Sequence, residues 1–288
     1  MEKKLLKVCL YYFTIVILLS CQYTSSTRKQ HRYDVISEAI DSLMLAKHIP
    51  GFSIALVSDT ALVWSESYGK ADVKSNKDIN ADQIMNIGSI SKTITAVAIM
   101  QLWEQELVDL NANINHYLDF EVSNPHYPED SITIFQLLTH TSSILDGEAY
   151  DHSYACGDPT VSLKSWIYAN LNKEGKLYAE GDNFGQWAPG EKSAYSNLAF
   201  GLLGLIVEQL TAQPFHLYCR EYIFIPLGMH KTGWYLNEVD TSNHIKLYGF
   251  ITESNRKGYL KRKNLFPNEN AFTVGTLVEG CLYSFPNY

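Results

Sequence analysis

Met85-Asn86-Ile87-Gly88-Ser89-Ile90-Ser91-Lys92-Thr93-Ile94-Thr95-Ala96-Val97-Ala98-Ile99-Met100 is the stretch around which the rest of the chain is organised. A glycine leads into a serine, and the serine opens a run dense in apolar residues with a lysine three positions on. The spacing predicts a tight turn that delivers Ser89 to the first turn of a helix running to about Glu106. Apolar residues wrap most of its circumference, so the helix is expected to be buried on nearly every side. Residues three apart share a helix face, with about 5–6 Å between Cβ atoms, so the Lys92 amine can reach the Ser89 hydroxyl. The helix N-terminus adds partial positive charge beside that oxygen. A free serine is a poor nucleophile that needs an adjacent base. Ser89 and Lys92 supply a hydroxyl and a partner for it.

The Ser-x-x-Lys spacing is weak alone. It recurs at Ser26/Lys29, Ser67/Lys70 and Ser254/Lys257, and in general it marks a capped helix start. Those three copies fall in a polar tether, at a strand end and in a basic loop, and none opens an apolar helix. A second polar cluster strengthens the first. Pro189-Gly190 leads to Ser193-Ala194-Tyr195-Ser196-Asn197, then to the apolar run Leu198–Glu208. Tyr-x-Asn also occurs at Tyr168/Asn170 and Tyr235/Asn237, and the plain reading of Tyr195 is a tyrosine hydrogen-bonded near a helix start. Two such mouths converging would form a cleft holding a nucleophile, an amine, a phenol and an amide, an inventory suited to acyl transfer.

The chain has 288 residues, 46% hydrophobic and 19% charged, an ordinary globular composition. A net charge of −8 with no long basic run makes nucleic acid an unexpected partner. Residues 1–20 have a basic start and an apolar run from Val8 to Leu19, which reads as a signal peptide. That run is shorter than the ~20 residues that span a bilayer. It ends Leu18-Leu19-Ser20-Cys21, similar to a bacterial lipoprotein processing site, which implies lipidation at Cys21. The alternative is an uncleaved anchor. Residues 21–33 read as a flexible tether. Beyond Cys9 and Cys21 stand Cys156, Cys219 and Cys281, an odd number with no close pair, which argues against a disulfide framework or a zinc site. The histidines show no ligand spacing, so neither metal nor cofactor is expected.

Along residues 34–80 the pattern predicts a helix over Asp34–Lys47, stopped by Pro50-Gly51, then strands Phe52–Val57 and Ala61–Tyr68 joined at Ser58-Asp59-Thr60. Lys70–Gln83 reads as polar loop. Residues 81–240 form a helical region with both polar clusters. It includes a turn at Asp109-Leu110-Asn111 leading to a short helix, a helix over Ile132–Ile144 with a polar end, and a helix from about Pro159 to Asn172. Leu145–Trp187 otherwise reads as a long covering loop. Residues 241–288 return towards the sheet.

With these residues in place the chain resembles the β-lactamase-related serine hydrolases, nearest the class C β-lactamases and their penicillin-binding and esterase relatives. The stretches that carry the likeness are Pro50-Gly51 with its hairpin to Tyr68-Gly69, Ile87–Lys92, Leu137-Leu138-Thr139-His140-Thr141-Ser142, Tyr195-Ser196-Asn197 and Ile225-Pro226-Leu227-Gly228-Met229. The resemblance implies an α+β, transpeptidase-like fold, an antiparallel sheet with an inserted helical region and the site between them. It implies that Ser89 carries an acyl intermediate, that Lys92 polarises the hydroxyl network, that Tyr195 is the general base and that Asn197 holds the substrate amide. The Ser89 N–H would be half of an oxyanion hole, one such donor being worth about 2.7–4 kcal/mol. A small-molecule or peptide substrate and a place in the bacterial cell envelope, lipid-anchored or periplasmic, follow from the same likeness.

Two departures stand out. Ser143 occupies the position after Thr141-Ser142 where the family has glycine, which alters a turn. Lys231-Thr232-Gly233 follows Met229 at once and is read as a decoy for the family's third motif, whose strand is not found. The sheet is therefore expected to be incomplete at its C-terminal end, with the chain truncated after Leu282–Tyr288. Exposing even ~400 Å² of apolar surface costs roughly 10 kcal/mol against a typical stability of about 5–15 kcal/mol, so the chain is expected to be unstable or to depend on an unidentified complementing segment. The alternative function is an impaired relative that binds peptidoglycan-like ligands without turnover; a purely structural lipoprotein, both polar clusters being helix caps, is the third reading.

Overall fold

The computed structural model describes residues 33–266, 273 and 275–284. The leader, Cys21 and the tether up to Arg32 lie outside the described residues, as does Pro286. The chain divides into two compact units between Ala81 and Asp82.

In the first unit, helix α1 (33–47) includes Tyr33, a residue expected in the tether. Strands β1 (Gly51–Ser58) and β2 (Ala61–Asp72) form an antiparallel hairpin that pairs Gly51 with Gly69 and Ser58 with Ala61. Gly69 has φ +75°, and a Cβ there would lie 2.2 Å from the Pro50 carbonyl oxygen. Only glycine fits, and the Lys70 N–H can then donate to that oxygen at 2.7 Å. The polar-loop expectation for Lys70–Gln83 needs correction. β2 runs on to Asp72 and pairs with a two-residue strand β3 (Lys77–Asp78). A pairing so short carries no readable alternation.

The second unit is built on helix α6 (Asn197–Thr211), which buries ten consecutive residues from Leu198 to Val207. Helices α2 (Ser91–Glu104), α3 (Ile134–Leu138) and α5 (Leu163–Leu171) pack around it. Gly204 lets α5 come close: a Cβ there would meet Leu163 Cδ2 at 3.3 Å. Helix α2 is not buried all round. Lys92, Thr95, Ala98, Ile99 and Leu102 form one buried stripe, while Val97 and Trp103 are exposed. Its apolar circumference shows which sides would gain from burial, not which sides the described residues cover.

Helix α3 is shorter than expected. Thr133 and Gln136 cap it reciprocally, and the polar run after Leu138 ends it, with His140 at φ +57° and Ser143 at φ +64°. Between α3 and α5 lies the one-turn helix α4 (Glu148–His152), and after α6 comes α7 (Phe215–Cys219), which continues as a wider turn through Arg220–Phe224. Strand β4 (Leu247–Phe250), helix α8 (Arg256–Lys261) and strand β5 (Leu277–Gly280) follow. The returning segment pairs with itself, Leu247 opposite Gly280 and Phe250 opposite Leu277. The fold is mixed helix and strand with small antiparallel sheets.

The cysteine expectation is also corrected. Cys156 and Cys281 form a disulfide across 125 residues, with Cα atoms 5.6 Å apart. Cys219 is a buried free thiol. A bond between residues so distant leaves no spacing signal, and the odd cysteine count hides it.

Candidate active site

Gly88 at φ +55° turns the chain into a tight helical turn over Gly88–Ile90, closed by the Ile90 N–H on the Ile87 carbonyl at 3.2 Å. This turn feeds straight into α2, and it presents Ser89 exposed at the surface with Lys92 buried one turn on. Two contacts hold the approach. Asn86 Nδ2 donates to the Tyr283 carbonyl at 2.8 Å, and Asn86 Oδ1 lies 2.9 Å from His244 Nε2.

Ser196 caps α6, its hydroxyl accepting from the Ala199 N–H at 3.0 Å. That cap sets Tyr195 just outside the helix and Asn197 at its first residue. The structure brings all four expected side chains together. The Tyr195 phenol donates to Ser89 Oγ at 2.6 Å. Lys92 Nζ donates to Ser89 Oγ at 3.5 Å and to Asn197 Oδ1 at 2.7 Å. The ammonium also lies 4.9 Å from the centre of the Tyr195 ring and 5.6 Å from that of Phe200. Burial pushes the Lys92 amine below its ordinary value, and Tyr195 and Asp146 counter the shift in part. Tyr195 is 53% exposed, so the hydroxyl–phenol pair is open to a ligand.

Two further residues belong to this site and have no assigned role in the sequence reading. His140 packs its ring 4.5 Å from Tyr195 and 4.9 Å from Phe200. Its Nδ1 accepts from the Ser196 N–H at 3.2 Å, and burial, with Lys92 nearby, lowers its pKa. The ring is therefore a neutral spacer behind the phenol. Asp146 is the other. Its Oδ1 accepts from the N–H groups of Asn197 (2.7 Å) and Leu198 (3.0 Å) and from the Ser196 hydroxyl (3.2 Å), and its Oδ2 accepts from Asn197 Nδ2 at 2.6 Å. Nothing local marks Asp146, because its partners lie about fifty residues on.

Asn197 engages both ends of its amide inside the protein, on Lys92 and on Asp146. Ser143 adopts the left-handed backbone that a glycine would take, and its Oγ accepts from the buried Asn124 Nδ2 at 2.9 Å. Lys231 sits in a turn and pairs with Asp82 at 3.0 Å. Among the described residues no group of three His, Cys, Asp or Glu converges as metal ligands would.

A serine hydroxyl held by a phenol, with a buried amine between two helix mouths on a mixed helix-and-strand scaffold, defines the class of the β-lactamase-related serine hydrolases. The family model described as Beta-lactamase matches residues 36–250, and the chain belongs to that family. It is similar to a beta-lactamase of Yersinia enterocolitica, 26% identical over 210 residues, covering 73% of this chain and 49% of the relative. It is also similar to the D-alanyl-D-alanine-carboxypeptidase/endopeptidase AmpH of Escherichia coli (strain K12), 28% identical over 212 residues, covering 72% of this chain and 51% of the relative. The chain thus spans about half the length of these curated relatives. Among solved structures, the octameric penicillin-binding protein homologue from Pyrococcus abyssi shares the fold, with a TM-score of 0.62 at 23% identity over 86% of this chain and 50% of that one.

Proposed function

We propose that this chain is a serine hydrolase that cleaves an amide or ester bond through an acyl-Ser89 intermediate. The observation that carries the reading is the 2.6 Å contact between Tyr195 and Ser89 with Lys92 buried beside both. In its base form Tyr195 takes the Ser89 proton while Oγ attacks the acyl carbon. The oxyanion formed is met by the Ser89 N–H at the start of the turn. Tyr195 returns the proton to the departing amine or alkoxide as the acyl–Oγ ester forms. Water then attacks the ester, giving its proton to Tyr195, and Ser89 is released with the proton restored.

The names of the relatives point to β-lactams and D-alanyl peptides as the substrates to try first. The leader ending at Cys21 supports placement in the cell envelope through a lipid anchor; incorporation of labelled palmitate, abolished by Cys21→Ser, tests that part. The central test is covalent labelling of folded protein with a fluorophosphonate or a fluorescent penicillin. Label on the wild type and none on Ser89→Ala is expected. Folded wild type that binds the penicillin reversibly but takes no label would overturn acyl transfer in favour of binding without turnover.

A further inference from the structure

The Asn197 amide stands between an ammonium and a carboxylate, with Oδ1 on Lys92 at 2.7 Å and Nδ2 on Asp146 at 2.6 Å. Turning the amide over would set its N–H groups against the ammonium and its oxygen against the carboxylate. The two charges therefore fix its orientation. The other carboxylate oxygen holds the first N–H groups of α6 and the Ser196 hydroxyl. We propose that Asp146 is a positioning residue for acyl transfer at Ser89: one oxygen seats the mouth of α6, and the other aims the Asn197 carbonyl at Lys92. This inference rests on the acyl-Ser89 reading and names a residue that the reading does not use. Asp146 acts through Asn197 and Lys92, not on the reacting atoms.

Helix capping alone would need only the first of these oxygens, and the two roles separate in one substitution. Asp146→Asn retains an oxygen for the α6 N–H groups but turns an N–H group towards Asn197 Nδ2. It also removes a negative charge that favours the protonated amine. The other groups bearing on Lys92 are Tyr195 ahead of α6 and His140 after α3, both unchanged by the substitution. Tyr154, which feels the Asp146 charge, is likewise retained.

The experiment compares wild type and Asp146→Asn in fluorophosphonate labelling of Ser89 across pH, and in the titration of the Lys92 amine by NMR with labelled lysine. The variant is expected to keep its fold and to label about 10–100-fold more slowly, the scale of a misplaced catalytic group. The alkaline limb of its rate profile should move to lower pH, and Lys92 should lose its proton at lower pH. Adding Asn197→Ala should cost little more, because the two changes break one linkage. Wild-type rate, an unmoved limb and an unmoved Lys92 titration in Asp146→Asn would overturn the proposal. Should the wild type take no label, the acyl-Ser89 reading fails, and the Lys92 titration alone then decides the positioning role. If Asp146→Asn does not fold, Asp146→Ser, which keeps a capping oxygen and drops the contact to Asn197, replaces it in both measurements.

Discussion

Burial of Lys92, 7% exposed, strips water from an ammonium, and Tyr195 and Asp146 offset only part of that penalty. The folded protein therefore releases this proton at lower pH than the unfolded chain, whose lysines titrate near the ordinary 10.5. Between the lowered value and 10.5 the unfolded state binds more protons, so stability contributed by this group rises with pH. Lys92→Met removes the titration while filling similar space. The stability of wild type relative to Lys92→Met, read from urea midpoints, is expected to increase as pH rises through that window. A pH-independent difference would contradict the buried amine. The same variant is expected to label at Ser89 about 10²–10³-fold more slowly, the range for loss of one preorganised electrostatic group beside the reacting atoms. Ser143 illustrates a different strain. Its left-handed backbone costs an L-residue roughly 1–2 kcal/mol, and its hydroxyl is bonded to buried Asn124. Ser143→Ala keeps the strain and loses the bond, whereas Ser143→Gly loses the bond and relieves the strain. Thermal melts should therefore rank Ala below Gly by about 1 kcal/mol; the reverse order would mean that the turn is not under strain.

At the scale of elements, α6 is the post against which α2, α3 and α5 lean, and Gly204 is where one of them leans hardest. A methyl there would press on the tip of Leu163 at 3.3 Å and touch Phe215 at an ordinary 3.5 Å. A branched side chain would have to displace both. Gly204→Val is expected to destabilise by about 1–3 kcal/mol, the range for overpacking, measured by urea unfolding; a neutral result would mean that α5 can slide. Helix α6 was legible in the sequence, as were α1, the β1–β2 hairpin and both polar helix mouths. In each the chemistry is local: a cap, a stop or a period of apolar residues within a few positions. The length of α3 was not legible, because its polar end folds back through left-handed turns at His140 and Ser143 that resemble a continuing helix in composition. Nor was β3, two residues long. Asp146 was illegible for a stronger reason. A carboxylate that caps a helix is recognised by adjacency, and this one lies about fifty residues before the helix it caps.

Across the whole second unit, the same distance rule hides the Cys156–Cys281 bond and gives it its effect. Joining residues 125 apart removes a long loop's freedom from the unfolded chain, which in the chain-entropy description stabilises by roughly 4–5 kcal/mol. The bond also fixes a local ladder: the Gly157 N–H donates to the Leu282 carbonyl at 2.9 Å, and the Ser284 N–H donates to the Gly157 carbonyl at 3.2 Å. Between them, the Tyr283 carbonyl accepts from Asn86 Nδ2, two residues ahead of the Gly88 turn that presents Ser89. Reduction should thus be felt at the site as well as in global stability. Dithiothreitol is expected to lower the melting temperature and to speed amide hydrogen exchange over Asn86–Ser89. A Cys156→Ser/Cys281→Ser variant should start from the lowered melting temperature and show no further response to reductant. If the wild type loses stability on reduction while exchange at Asn86–Ser89 stays unchanged, the bond braces the unit without reaching the nucleophile, and the Asn86–Tyr283 contact is not what holds that turn in place.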